Sequence, residues 1–142
     1  MDVRKITRII LLCILLSFTC FFVGCASKQF DSDYMSFKSS YMKVTEVLDE
    51  KDPFTSIQKL KIKASQIELG DMKNILVKMS AEISTEKEKS IYENMSKYYD
   101  ALEFLVYAAS NQNNLTEDER GRIATELTLI SMNRNSIKRG EK

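Results

Sequence analysis

The chain has 142 residues, 29% of them charged and 44% hydrophobic, with one proline, four glycines and a formal net charge of +1. This composition argues against a disordered chain and against a turn-rich β protein, and it favours helices in one domain. Three of the 21 basic residues and one of the 20 acidic residues lie in the first 24 positions, so the other 118 positions carry 18 basic and 19 acidic residues. Because nucleic-acid binding depends on a basic surface, this balance excludes nucleic acid as a partner.

The amino terminus has the organisation of an export signal. Residues 1–8 carry three positive charges and one negative charge, and residues 9–27 carry none. An apolar run that follows a positive segment is what an export signal requires. The run ends in Phe22-Val23-Gly24-Cys25.

This ending resembles the lipobox of bacterial lipoproteins, in which small or apolar residues precede an invariable cysteine. The resemblance implies that Cys25 carries a diacylglyceryl group, with acyl chains such as palmitate, and that the signal peptide is cleaved between Gly24 and Cys25. We therefore expect residues 1–24 to be a signal peptide, residues 25–31 a lipidated tether, and residues 32–142 a helical bundle domain.

An uncleaved signal anchor is the alternative interpretation, because residues 9–27 are long enough to cross a hydrocarbon core of about 30 Å. The positive charges before this stretch would leave the domain on the same outer side of the membrane. Both interpretations predict a membrane-attached protein of the cell envelope, facing the periplasm or the cell surface. The cysteines fit export without disulfides, since all of them lie at or before the proposed cleavage site: Cys13, Cys20 and Cys25.

After the tether, apolar residues recur every three or four positions and predict a first amphipathic helix. Its expected core face is Phe30, Tyr34, Phe37, Tyr41, Val44 and Leu48. The sequence therefore places these six residues on one face of the first helix.

A second helix is predicted from Asp52 and Pro53, which suit the N-cap and the first helical position. Its expected stripe is Ile57, Leu60, Ala64 and Ile67. Gly70 and Asp71 interrupt this stripe, and glycine often ends helices. We therefore expect this helix to be kinked or split near Gly70.

Two further helices complete the domain. Ser84 or Thr85 is the expected cap of the third helix, and its stripe is Ile91, Met95, Tyr98, Leu102, Leu105 and Ala109. Residues 116–119 form a capping box before the fourth helix, whose stripe contains Ile123, Leu127, Ile130, Arg134 and Ile137. Four amphipathic helices with short connections predict an all-α, antiparallel up-down bundle.

The chemistry that this chain lacks is informative. It contains no histidine, which excludes histidine triads, histidine-ligated haem and the Glu-x-x-His pairs that hold metals in helical bundles.

Ser-x-x-Lys occurs at Ser40/Lys43, Ser56/Lys59 and Ser84/Lys87. This spacing is common by chance in lysine-rich helices, and no Lys-Thr-Gly or Ser-Asp-Asn motif accompanies it. The acidic run at residues 117–119 is explained by its place at the start of a helix. The sequence therefore predicts a protein that is not an enzyme and has no metal and no cofactor.

The second half of the third helix is apolar on nearly every side. One buried stripe needs only Tyr98, Leu102 and Leu105, which leaves Phe104 and Tyr107 in excess on a flank, with Tyr99 nearby. Such a helix is either wrapped by its neighbours or covered by a partner. Tyr99, Phe104 and Tyr107 are therefore the candidate interaction face.

These observations favour a lipid-anchored, non-enzymatic envelope protein that acts as a helical interaction or accessory module. Its expected partners are the membrane, through the lipid on Cys25, and either another protein or a second copy of itself. A helical bundle that binds a small apolar ligand between its helices is the alternative function.

We predict that Cys25→Ser leaves a full-length precursor without lipid, because the thiol is the acyl acceptor in the lipoproteins that this leader resembles. Gel mobility and metabolic labelling with a fatty acid measure the effect in cells. Equal processing of the variant and the wild type would instead indicate ordinary signal cleavage, and no processing of either would indicate a signal anchor.

Overall fold

The computed structural model describes residues 28–49 and 51–139. The proposed cleavage and lipidation site at Gly24 and Cys25 and the alternative membrane span at residues 9–27 lie outside these residues. Within the described ranges, none of the helices is both long and apolar enough to cross a membrane.

The described chain is helical apart from short connections. The helices are α1 over residues 28–45, α2 over Pro53–Gln58, α3 over Ile62–Glu82, α4 over Glu86–Ser110 and α5 over Glu117–Lys138. A 3-10 turn at Gln112–Asn114 joins α4 to α5. The four long helices, α1, α3, α4 and α5, pack against one another, and the parts of the chain described here contain no strand. The expectation of an all-α fold is confirmed.

The whole stripe predicted for the first helix is buried, although its last member, Leu48, lies three residues beyond the end of α1. Phe30, Tyr34, Phe37, Tyr41, Val44 and Leu48 all belong to the core. Residues 28–31, which the sequence assigns to the tether, are already helical, and Phe30 is only 1% exposed. The described part of the bundle therefore begins nearer to Cys25 than expected.

The predicted N-caps are all present, and each satisfies backbone N–H groups that the first turn leaves without partners. Asp52 accepts a hydrogen bond from the Thr55 amide at the start of α2, where Pro53 occupies the first position. Thr85 opens α4 and Thr116 opens α5, each in a complete capping box with the glutamate three residues later. Local sequence alone therefore sets where these three helices begin.

The predicted second helix is interrupted at residues 59–61, between α2 and α3, and not near Gly70. α3 passes through Gly70 and Asp71 as one helix, so the split expected there is absent. The break at residues 59–61 resets the helical phase, and α3 turns Leu69, Met72, Leu76 and Met79 inward. Ile67, which the sequence places in the core stripe, is consequently 66% exposed.

Tyr41 of α1 lies at the centre of the core. Its ring centroid is 6.3 Å from those of Phe37 and Tyr98, and its hydroxyl donates a hydrogen bond of 3.2 Å to the Ile130 carbonyl of α5. Burial raises the pKa of the Tyr41 phenol well above its usual value. The side chain thus stays neutral and joins α1, α4 and α5.

Arg134 makes the second connection between α1 and α5. Its guanidinium donates a hydrogen bond of 2.7 Å to the Thr45 carbonyl and another to the Leu48 carbonyl. The last carbonyls of a helix have no intrahelical partner, and a cation near them also interacts favourably with the helix dipole. The charged residue within the apolar stripe of α5 is therefore the group that caps the end of α1.

We predict that Arg134→Met lowers the free energy of unfolding by roughly 2 to 4 kcal/mol, because two charge-assisted hydrogen bonds are lost. The Leu48 carbonyl loses its side-chain donor, whereas the Thr45 carbonyl keeps the backbone bond from the Leu48 amide. Lys138→Met, at an exposed position one turn later, should stay within about 0.5 kcal/mol of wild type. Urea denaturation followed by helical circular dichroism measures both variants. Equal midpoints for the two would contradict the capping role of Arg134.

Candidate interaction site

The candidate face predicted from α4 divides into one buried residue and two that reach the surface. Tyr99 is 7% exposed, so its ring belongs to the core, and its hydroxyl donates a hydrogen bond of 2.7 Å to Glu103 one turn later. Phe104 is half-buried, whereas Tyr107 is 47% exposed. Tyr99 is therefore a core residue beneath the candidate face, and Phe104 and Tyr107 are the residues of this face that solvent can reach.

Phe104 and Tyr107 form an aromatic pair that extends onto α5. Their ring centroids lie 6.4 Å apart, and the Arg122 guanidinium of α5 lies 4.1 Å from the centroid of Phe104. A cation over an aromatic face is attracted by the quadrupole of the ring. Arg122 is held in place by a hydrogen bond of 2.7 Å from its Nε to Glu126.

Acidic groups surround this aromatic pair. Glu119 accepts hydrogen bonds from the Thr116 amide and hydroxyl in the capping box of α5, and the amide bond lowers the pKa of its carboxyl. The negative charge of Glu119 in turn raises the pKa of the neighbouring Tyr107 phenol. The carboxyl group that caps α5 thus also faces the aromatic surface of α4.

Two open grooves run on either side of a ridge made by Glu103 and Tyr107. The groove between α3 and α4, of about 420 Å³, is lined by Gln66, Leu69, Gly70, Lys73, Tyr99, Glu103, Tyr107, Ser110 and Asn111. The groove between α4 and α5, of about 570 Å³, is lined by Asp100, Glu103, Phe104, Tyr107 and Arg122. We call the ridge with both grooves the α4 surface.

Several residues of the α4 surface were not identified from the sequence. Glu103 lies one turn after Tyr99 and one turn before Tyr107, and this helical spacing was a usable signal. Gly70 and Arg122 come from α3 and α5, and only the packing of these helices against α4 brings them here.

The serines of the three Ser-x-x-Lys pairs make structural hydrogen bonds. The Ser40 hydroxyl, ahead of Lys43, is the main cause of the lowered pKa of the Glu68 carboxyl, and Lys43 donates a hydrogen bond of 2.9 Å to Glu68. The hydroxyl of Ser56 accepts from the Asp49 amide, and that of Ser84 donates to Glu88. Each pair therefore has a structural explanation in the fold.

A second cluster of carboxyl groups lies where α1 meets the end of α3. Asp33 is buried, and neither its Oδ2 nor Oε2 of Glu82 has a hydrogen-bond partner in the described chain. Burial, and then the nearby charge of Asp33, raise the pKa of the Glu82 carboxyl. Within residues 28–49 and 51–139, no group of three or more potential ligand residues is arranged to hold a metal ion.

Comparison with known proteins gives no relative for this chain: no protein-family model matches it, and neither a curated protein nor a solved structure matches it significantly. The arguments about function therefore rest on the residues themselves. The α4 surface offers one exposed and one half-buried aromatic ring, carboxylates and open grooves, which are features suited to binding.

We predict that Tyr107→Ala changes the free energy of unfolding by less than about 0.5 kcal/mol, because the ring lies at the surface. Phe104→Ala should cost about 1 to 3 kcal/mol, less than a fully buried aromatic ring, and Leu105→Ala, from the core, about 2 to 5 kcal/mol. Chemical denaturation of the three variants measures these differences. A loss for Tyr107→Ala as large as that for Leu105→Ala would make Tyr107 a structural residue.

Proposed function

We propose that this chain is a lipid-anchored protein of the cell envelope, without enzymatic activity, whose helical domain binds another protein through the α4 surface. The observation that carries the proposal is the aromatic pair of half-buried Phe104 and exposed Tyr107, on a domain that follows a lipobox-like leader. Exposed aromatic residues beside charged groups are typical anchors of protein interfaces.

In this proposal, the lipid on Cys25 attaches the domain to the membrane. Only residues 26 and 27 separate Cys25 from the described start of α1, a distance of at most roughly 10 Å along an extended chain. Several acyl chains hold a protein far more firmly than the marginal binding of one myristoyl chain. The beginning of α1 therefore lies next to the bilayer. An uncleaved anchor would place the same domain in the same position.

We also infer that the four long helices run up and down, with a bend rather than a break in α3 near Gly70. Three contacts support this order. Lys43 of α1 pairs with Glu68 of α3 at 2.9 Å, whereas Asp33 influences Glu82 at the other end of α3, so α1 and α3 run in opposite directions. Phe104 of α4 meets Arg122 near the start of α5, so these two helices are also antiparallel.

In this proposal the α4 surface lies away from the membrane. α3 and α4 pack against each other and are joined by only residues 83–85, so they are antiparallel. Because α1 is antiparallel to α3, α1 and α4 run in the same direction. Tyr107 lies 21 positions after Glu86 at the start of α4, or about 30 Å further along the helix. The partner is therefore a protein outside the bilayer.

The openness of the grooves favours a protein over a small molecule as the occupant. Sites for small ligands usually enclose most of the ligand surface. The two grooves share the Glu103 and Tyr107 ridge and both face outward, so a partner would cover the ridge and both grooves as one surface.

The test is a pull-down of the full-length protein, solubilised from membranes in a mild detergent. Wild type and Met132→Ala, altered at an exposed residue of α5, should retain the same stoichiometric partner, whereas Tyr107→Ala should lose it while keeping wild-type stability. Equal recovery with all three proteins would remove the α4 surface from the proposal. If only this chain is recovered, self-association replaces binding of another protein.

A further inference from the structure

A cavity of about 230 Å³ lies where α1, α4 and α5 meet, and none of its lining residues belongs to the α4 surface. Tyr34 of α1, Met95 of α4 and Asn133 of α5 are buried and form its floor. Asn94 of α4 is exposed and marks its mouth. We call this space the Asn133 cavity, and a molecule inside it would contact three helices at once.

The polar residues that line the Asn133 cavity are tyrosines, asparagines and a serine: Tyr34, Asn94, Tyr98, Asn133 and Ser136. Burial raises the pKa of the Tyr34 phenol, and the neighbouring Tyr98 raises it further, so Tyr34 stays neutral. Among the described residues that line this cavity, none is a lysine, arginine, aspartate or glutamate. Because a buried charge without a partner is costly, this lining favours an uncharged ligand.

Asn133 carries a buried donor that the described chain leaves unsatisfied. Its side chain belongs to a residue that is 7% exposed, and its Nδ2 has no hydrogen-bond partner within residues 28–49 and 51–139. Asn133 lies beside the Tyr41 phenol, where it partly offsets the rise in pKa that burial causes, but a carboxamide has two hydrogens to donate. Because native proteins satisfy nearly all buried donors, this one points to a ligand with an acceptor oxygen.

The rest of the cavity wall is apolar and suits a ring. Ile91, Met95 and Ile137 form this part of the wall, and a methionine sulfur packs favourably against aromatic rings. An apolar cavity of roughly 150 Å³ holds benzene. The larger Asn133 cavity therefore has room for one ring with a short polar substituent.

We propose that the Asn133 cavity binds a small uncharged ring compound whose carbonyl or hydroxyl oxygen accepts a hydrogen bond from Asn133. Water would satisfy Asn133 but would leave the apolar wall hydrated, whereas such a compound satisfies the donor and covers the wall. This site is separate from the α4 surface, so the domain would bind a small molecule in addition to the protein partner proposed above.

The experiment uses the full-length protein in lipid nanodiscs, with isotope-labelled methionine methyl groups observed by NMR. The probe is benzamide, a ring with one uncharged carboxamide, and benzoate is its charged counterpart of similar shape. Benzamide should shift the Met95 signal with a Kd of roughly 1 mM, a weak affinity expected for so small a ligand. Met72 and Met79, core residues outside the cavity lining, should not shift. Benzoate should bind at least about tenfold more weakly.

Asn133→Leu tests the hydrogen bond, because leucine has a similar size and no donor. It should weaken benzamide binding about tenfold, with the helix content by circular dichroism unchanged. The matched control is Asn135→Leu, at an exposed position of the same helix outside the cavity lining, which should keep the wild-type affinity.

The proposal is overturned if benzamide leaves Met95 unchanged or shifts Met72 and Met79 equally. It is also overturned if benzoate binds as tightly as benzamide, or if folded Asn133→Leu keeps the wild-type affinity. If Asn133→Leu does not fold, the wild-type comparison of benzamide with benzoate at Met95 decides. Because the cavity and the α4 surface have no lining residue in common, each of these results leaves the pull-down test of Tyr107 independent.

Discussion

The rest of the structure depends on the closure of the bundle between its first and last helices. Tyr41 and Arg134 make this closure through three hydrogen bonds between positions 86 to 89 residues apart in the chain. The bond to Leu48 supplies a donor to a carbonyl just beyond the end of α1, where an unsatisfied carbonyl is costly. The bonds to Thr45 and Ile130 add a second donor or a cross-link, because the Thr45 carbonyl also accepts from the Leu48 amide and Ile130 lies within α5. Because α4 contacts the same tyrosine through Tyr98, the closure also fixes α4, on which the candidate interaction site lies.

Much of the fold could be predicted from the sequence because its signals are local. The caps at Asp52, Thr85 and Thr116 act within one helical turn, and the stripe of α1 repeats without interruption. The break at residues 59–61 could not be predicted in the same way. Lysine and leucine are good helix formers, so nothing in these residues signals an interruption, whereas Gly70 is a poor helix former that α3 nevertheless includes.

The candidate interaction site was predictable only in part. The excess of apolar residues on α4 identified Phe104 and Tyr107, since more large side chains lie there than one stripe can bury. The same reasoning could not separate Tyr99 from Tyr98, which differ by one helical position and are buried to different degrees. Arg122, Glu119 and Gly70 lie near the rings of α4 only because α3 and α5 pack beside α4. Helical periodicity in the sequence does not show which helices become neighbours.

The α4 surface is small, with one exposed tyrosine and one half-buried phenylalanine at its centre. A surface of this size binds weakly when both proteins diffuse freely, because association must first offset the loss of translational and rotational freedom. An anchor on Cys25 reduces that cost if the partner is held at the same membrane, since tethering by short linkers gives effective concentrations in the millimolar range. The proposed lipid and the proposed surface are therefore complementary: the lipid confines the domain near its partner, and the carboxylates and rings of α4 select which protein is bound.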